Sequence, residues 1–283
     1  MPQANQQHTI NWRDFASKLQ HSHVAAAMDV KHLLAHVLGC ATADVRLKMT
    51  LSSVQYAQFN HAFFRLSQGE PLAYILGEWE FWGMKMHLNS HVLIPRADTE
   101  CLVQAVLDVY PSTTYARVVD CGTGSGAIAL ALAHERAHWD ILGVDQSEQS
   151  VLCARDNQRR LGVSQTRVSF STLSWHALPT TSVRYDIVVA NPPYIDQNDP
   201  DIHPHVHLYE PHSALFATQN GMADLRAVID VARQVLLPHG RVFLEHGYTQ
   251  ALAVTSYLSR CGFEDIQTLH DLSGLPRVTV ARN

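Results

Sequence analysis

The run Ala116-Arg117-Val118-Val119-Asp120-Cys121-Gly122-Thr123-Gly124-Ser125-Gly126, followed by Ala127-Ile128-Ala129-Leu130-Ala131-Leu132-Ala133, decides the fold of this chain. The first five residues read as a buried strand closed by an acid, and the last seven as a helix of small and aliphatic residues. Between them glycines alternate with small side chains, so a ligand can lie against bare backbone where the helix begins and its unpaired N–H groups point outward. The spacing is G-x-G-x-G behind an acid, which differs from the G-x-G-x-x-G of dinucleotide enzymes. A second apolar strand, Ile141-Leu142-Gly143-Val144, ends in Asp145, nineteen residues beyond Gly126. A carboxylate at that place in a βαβ unit can accept both hydroxyls of a ribose, although aspartate also favours helix N-caps.

A third apolar run, Tyr185-Asp186-Ile187-Val188-Val189-Ala190, passes directly into Asn191-Pro192-Pro193-Tyr194. Two prolines make a stiff, extended turn with no backbone donors, so the carbonyls around it are free to accept. The Asn191 carboxamide oxygen and the Pro192 carbonyl can take the two hydrogens of a planar NH2 group, while Tyr194 offers a flat face to the rest of that group. Taken alone, Asn-Pro is also an ordinary strand-terminating turn.

Periodicity organises the rest. From about residue 9 to 78 the pattern is helical, with Trp12, Phe15 and Leu19, then Val30, Leu33, Leu34, Val37 and Leu38, then Val54, Phe59, Phe63, Phe64 and Leu66. Breaks fall at Thr50-Leu51-Ser52 and Ser67-Gln68-Gly69, so a small helical bundle is expected over residues 1–78. Residues 79–96, with alternating Met84, Met86 and Leu88, read as a β-hairpin linker whose turn is placed at Asn89-Ser90. From 97 to 283 strands alternate with helices as far as Phe263-Glu264, which implies a mostly parallel sheet covered on both faces.

Together, Asp120-x-Gly122-x-Gly124-x-Gly126, Asp145 and Asn191-Pro192-Pro193-Tyr194 resemble the S-adenosylmethionine-dependent methyltransferases with a Rossmann-like core that methylate amide or exocyclic amino nitrogens. Further segments resemble the peptide chain release factor glutamine methyltransferases: Pro71 to Gly77, Glu80-Phe81, Leu93-Ile94-Pro95-Arg96-Ala97-Asp98-Thr99-Glu100, Tyr209-Glu210-Pro211, Gly221-Met222-Ala223-Asp224 and Arg277-Val278. Ala97 stands where that family has a proline. Its Asp-Trp pair after the third strand is here Leu173-Ser174-Trp175, with Ser174 at the aligned aromatic position and Trp175 favoured as the adenine-side aromatic.

The resemblance implies a class I methyltransferase core, seven strands in the order 3-2-1-4-5-7-6, with the helical module as the substrate-recognition domain. It implies S-adenosyl-L-methionine as cofactor, held by Asp120, Gly122, Thr123, Gly124, Ser125, Gly126, Asp145, Trp175 and Asn191. The reaction it implies is methyl transfer to the glutamine N5 of the Gly-Gly-Gln loop in class 1 release factors. Asn191, Pro192 and Tyr194 are then the catalytic residues, and Pro193 and Glu210 join them in holding the substrate, with Arg96 a secondary candidate beside Glu210. Ribosomal-protein glutamine methyltransferases are the nearest alternative. An adenine-N6 nucleic-acid methyltransferase is a second, since the adenine amine is also a planar conjugated NH2. A non-catalytic nucleotide-binding module is the third.

Global properties narrow the choice. Net charge is −5 with no Lys/Arg cluster, which disfavours nucleic acid as the main partner. Five scattered cysteines without a C-x-x-C pair fit a reducing, cytoplasmic setting. No apolar run approaches a membrane span and the start lacks a basic and apolar leader, so neither membrane nor export is expected, and nothing demands more than a monomer. His203, His205, His207 and His212 crowd one loop without metal-ligand spacing, so it reads as a solvated substrate-side loop and no metal is expected.

Overall fold

The computed structural model describes residues 7–19, 23–197 and 208–283, which form two compact units, residues 1–77 and 78–283. The first unit contains β1 (Gln7–Asn11), α1 (Trp12–Ala16), α2 (His23–Leu38), β2 (Lys48–Ser52), α3 (Ser53–Ser67) and α4 (Leu72–Leu76). Helix α3 starts where Ser52 accepts from the Gln55 N–H and the Gln55 side chain reaches back to the Ser52 N–H, a reciprocal cap worth about 1 kcal/mol. Buried Leu33, Leu34, Phe59 and Leu66 make its core, with Phe15 packed edge-on to Phe59 and Phe63.

This unit is not wholly helical. Strands β1 and β2 pair antiparallel from Gln7↔Ser52 to Asn11↔Lys48, so the break expected at Thr50-Leu51-Ser52 is itself strand. Each strand has five residues and buries one large apolar side chain, Ile10 or Leu51, which is too little alternation to register as a strand beforehand.

The second unit opens with the hairpin β3 (Glu78–Phe81) and β4 (Met84–His87). Its turn is Trp82-Gly83, not Asn89-Ser90: Phe81 pairs with Met84, and both turn residues have positive φ, 53° and 66°. That conformation is the two-residue hairpin turn whose twist matches the strands, and a tryptophan in its first position hides the usual Asn-Gly signal. The Trp82 N–H donates to Glu100 Oε1 at 2.8 Å and its indole to Glu135 Oε1 at 2.9 Å, which holds the strained residue in place.

Then follow α5 (Glu100–Val109), β5 (Arg117–Cys121), α6 (Ala127–Glu135), β6 (Asp140–Asp145), α7 (Glu148–Arg160), β7 (Val168–Thr172), β8 (Tyr185–Ala190), α8 (Ala223–Val235), β9 (Leu236–Glu245), α9 (Ala251–Arg260), β10 (Glu264–His270) and β11 (Pro276–Arg282). The sheet order is β7-β6-β5-β8-β9-β11-β10, the expected 3-2-1-4-5-7-6. All neighbours are parallel except β11, which runs antiparallel to both β9 and β10. Fully buried Val118, Val119, Val188, Val189 and Phe243 make the strands near-continuous apolar runs, as a sheet covered on both faces requires.

The sheet reverses direction of growth between β5 and β8. Cys121 is level with Ala190, so the glycine loop and the Asn-Pro-Pro-Tyr turn leave the sheet side by side at its carboxyl edge. Open α/β sheets bind ligands at that point. Among the described residues no helix is long and apolar enough to cross a membrane.

Candidate active site

Two short tethers shape the glycine loop. The N–H groups of Gly122 and Thr123 both donate to the Val144 carbonyl, at 2.9 and 3.0 Å, and the Gly126 N–H donates to the Thr123 carbonyl at 2.8 Å. Gly122 adopts φ +79°, and a Cβ there would stand 3.3 Å from the Trp175 ring, so only a bare backbone leaves the floor of the cleft open beneath that ring. Asp120 is completely buried under the loop, where its Oδ2 accepts the Thr123 hydroxyl at 2.6 Å and its Oδ1 has no partner of good geometry. Thr123 and Ser125 are buried as well, and the Ser125 carbonyl accepts from Asn157 Nδ2 at 2.9 Å. Asn157 also exchanges two hydrogen bonds with the His87 backbone, at 2.6 and 3.0 Å, and so ties the loop to the hairpin.

Asp145 lines the cleft beside this loop. Its Oδ2 accepts the Gly124 N–H at 3.0 Å and its Oδ1 the Ser147 N–H at 2.9 Å. The helix cap is Ser147, whose hydroxyl accepts from the Ser150 N–H, so Asp145 is not needed for that work. Each carboxylate oxygen keeps a lone pair for a further donor. Burial raises the Asp145 pKa, and the two N–H groups oppose the rise. Trp175, 9% exposed, lines the cleft with its ring against Gly122 and its indole nitrogen buried without a partner, while Ser174 begins the 3-10 turn and is half-buried.

Asn191 and Pro193 line the same cleft, while Pro192 is buried in the turn. The Asn191 Nδ2 donates to Thr99 Oγ1 at 3.2 Å, a contact across 92 residues. Tyr194 turns its hydroxyl inward, where it donates to Glu245 Oε1 at 3.1 Å, and burial pushes its phenol pKa well up. The Tyr194 carbonyl accepts from Gln250 Nε2 at 2.9 Å and presses on Gly221, φ +76°, where a Cβ would come within 2.0 Å of it. Glu210 lies apart from the cleft lining; it is buried and paired with Arg96 at 2.5 Å, with Oε2 unpartnered. The loop of His203, His205 and His207 lies outside the described residues. Among the described residues no three His, Cys, Asp or Glu side chains converge as metal ligands.

Two residues that the sequence reading did not weigh individually belong to this site. Thr99 touches Asn191, and Glu245, 1% exposed at the end of β9, holds Tyr194. Glu245 carries a signal that Asp120 and Asp145 also carry, an acid closing a buried strand. Burial lifts the Glu245 pKa to about 7, against the lowering effects of Thr99, Tyr194 and Arg277; Arg277 is itself bonded to Asp271 through two nitrogens and lies 3.4 Å from Asp98.

Burial lifts Asp120 to a pKa of about 7, against the lowering effects of Thr123 and the Ala129 N–H. A carboxyl with a raised native pKa binds its proton more tightly folded than unfolded, so its stabilising effect is complete below its unfolded value and is lost as pH rises through about 7. Asp120→Asn should therefore gain stability relative to the parent as pH rises from about 4 to about 7, by an amount on the order of a few kcal/mol. Parallel denaturation midpoints across that range would remove Asp120 as the titrating group.

A parallel sheet with a glycine loop at its switch point, an acid closing the neighbouring strand and an aromatic wall defines an S-adenosylmethionine-dependent methyltransferase. Residues 113–268 match the family described as methyltransferase domain, and residues 12–77 match the PrmC N-terminal domain. A release factor glutamine methyltransferase of Salmonella typhimurium is 41% identical over 90% of this chain and 91% of that protein. Those of Shewanella oneidensis and Escherichia coli K12 are 39% and 35% identical over 94% and 95% of this chain, and over 95% and 96% of their own lengths. In fold, the chain resembles a T. thermophilus 16S rRNA methyltransferase solved with its methyl donor, with TM-score 0.52 and 22% identity over 73% of this chain and 49% of that one. This chain belongs to the release factor glutamine methyltransferase family.

The cleft fits S-adenosylmethionine on its own evidence. It offers a bare glycine floor, the Trp175 ring against that floor, and a carboxylate with free lone pairs at the strand edge.

Proposed function

We propose that this chain transfers a methyl group from S-adenosylmethionine to the side-chain amide nitrogen (N5) of the glutamine in the Gly-Gly-Gln motif of class 1 peptide chain release factors. The observation that carries this reading is the Asn191 carboxamide, anchored through its nitrogen at the rim of a cleft floored by the glycine loop. The test is incubation with labelled methyl donor and three acceptors: a release factor, a large-subunit ribosomal protein and DNA. Label in the release factor alone is the expected result. Label in the ribosomal protein or in DNA instead would replace the substrate, and none at all would leave a binding module.

The cofactor would be held by the Gly122 to Gly126 backbone, by Asp145 toward its ribose and by Trp175 toward its adenine, with Asp120, Thr123 and Ser125 shaping the loop from beneath. When bound, it supplies a methyl group on a positively charged sulfur. An amide nitrogen is a poor nucleophile because its lone pair is delocalised into the carbonyl. The protein must therefore work by orientation and by hydrogen bonds that strengthen as the nitrogen becomes tetrahedral. In this reading the Asn191 carboxamide oxygen and the Pro192 carbonyl accept the two N–H bonds of the glutamine, and Pro193 and Tyr194 bound its amide plane. The methylated nitrogen sheds its extra proton readily to water, so no dedicated base is required. Glu210, with Arg96, shapes the substrate-side segment that carries Tyr209-Glu210-Pro211. The enzyme is taken to act as a monomer in the cytoplasm, without membrane or nucleic acid; a net charge of −5 weighs against nucleic acid.

Asp145→Ala should weaken cofactor binding by about 1–3 kcal/mol, the scale of lost charge-assisted hydrogen bonds, because it removes the proposed ribose acceptor and frees the Gly124 N–H. Calorimetry on the purified variant measures this. Unchanged affinity would take Asp145 out of the ribose site.

A further inference from the structure

We propose that Gln250 is a positioning residue for methyl transfer: its carboxamide clamps the Tyr194 end of the Asn-Pro-Pro-Tyr turn and so sets where Asn191 presents its amide. The proposal rests on the reading of Asn191 as the group that orients the substrate glutamine.

Gln250 directly precedes α9, in the loop that leaves β9 after Glu245. A polar residue at a helix start ordinarily turns its side chain onto the first N–H groups of that helix, and Gln250 makes no such bond. Its amide is spent on other segments. Nε2 donates to the Tyr194 carbonyl at 2.9 Å and to the Asn220 carbonyl at 3.3 Å, while Oε1 accepts the Gly247 N–H at 2.9 Å. One side chain thus joins the turn after β8, the turn before α8 and the loop after β9. Two donors on one atom and an acceptor on the other are what a carboxamide has and a carboxylate lacks.

The surroundings are shaped to that bond. Gly221, φ +76°, lies where a Cβ would stand 2.0 Å from the Tyr194 carbonyl oxygen and 2.6 Å from Gln250 Nε2, so a bare backbone is what lets those two atoms meet. Tyr194 is held at its other end by Glu245, whose Oε1 accepts its hydroxyl at 3.1 Å. Beyond it, the Ile195 N–H donates to the Leu215 carbonyl at 3.0 Å and the Ile195 carbonyl accepts from Ala217 at 2.9 Å. Pro192 and Pro193 have fixed φ, so the residues from Asn191 to Tyr194 move as one stiff piece. Displacing the Tyr194 carbonyl therefore displaces Asn191, and a misplacement of about 1 Å at a group that orients a reacting atom costs on the order of 100-fold in rate. Among the described residues, those lining the cofactor cleft do not include Gln250, so its effect falls on the substrate side.

The experiment measures kcat and KM for release-factor methylation, with cofactor affinity and binding stoichiometry by calorimetry, for Q250E, Q250M, Q250K and N191A. Glutamate keeps the shape of the side chain but sets acceptors against two carbonyls, methionine keeps its length without a donor, and lysine restores donors at this half-buried position. Q250E and Q250M should each lower kcat about 10- to 100-fold, with KM and cofactor affinity within about twofold of the parent and full binding stoichiometry. Q250K should recover most of the rate lost in Q250M, which a side chain that only fills space would not do. If Q250E does not fold, Q250M against Q250K decides alone, and equal rates for those two overturn the proposal. A parent-like kcat in Q250E or Q250M, or a loss that appears equally in cofactor affinity, also overturns it; with N191A slow, the reading of Asn191 stands. A parent-like N191A overturns both.

Discussion

Asn191→Ala is expected to lower the single-turnover rate of glutamine methylation by about 100- to 1000-fold while cofactor affinity stays near that of the parent, the scale seen when one preorganised polar contact to a reacting centre is removed. Uniform binding contacts cannot produce that pattern, because their loss weakens affinity and leaves the rate at saturation unchanged. Asn191 leaves the sheet level with the glycine loop, yet its amide is tied to Thr99 and not to any residue of that loop. Its removal therefore spares the donor side and strips an acceptor from the substrate side. Single-turnover methylation at saturating cofactor checks the expectation. A rate within a few-fold of the parent would mean that some other group orients the amide.

Deletion of residues 1–77 is expected to abolish methylation of intact release factor and to spare cofactor binding. Among the described residues, those that line the cleft lie between His91 and Ala214, inside the unit of residues 78–283. A single glutamine side chain in a cleft buries too little for specific recognition of a protein, which takes an interface of roughly 1,200 Å² or more. We propose that the first unit supplies much of that area, so its loss should cost at least about 100-fold in kcat/KM on intact release factor. A short glutamine peptide should remain a poor substrate for both forms. Methylation of release factor at the full rate by the folded truncated protein would show that the unit serves another purpose.

Much of this enzyme is legible in its sequence for local reasons. A buried parallel strand is a short apolar run, and an acid or a proline pair that closes it marks the carboxyl edge of the sheet, so Asp120, Asp145 and Asn191 could be placed at one edge before any coordinates. The alternation of glycine with small residues before Ala127 likewise announces bare backbone at a helix start. Local patterns misled where the signal was short or disguised: strands β1 and β2 bury one large side chain each, and Trp82 occupies a turn position that asparagine usually marks.

The cofactor cleft and the Asn-Pro-Pro-Tyr turn were thus specified by residues close together in the chain. What aims the turn was not. Thr99 reaches Asn191 across 92 residues, Glu245 reaches Tyr194 across 51, and Asn157 ties the glycine loop to a hairpin 70 residues before it. Sequence spacing conveys the geometry of one strand, turn or helix at a time, whereas a side-chain hydrogen bond between elements depends on how the sheet orders them. Only the placement of β9 beside β8, with β11 behind it, brings Glu245 and Arg277 beneath the turn, and so decides which of its atoms are buried and held and which are left facing the cleft.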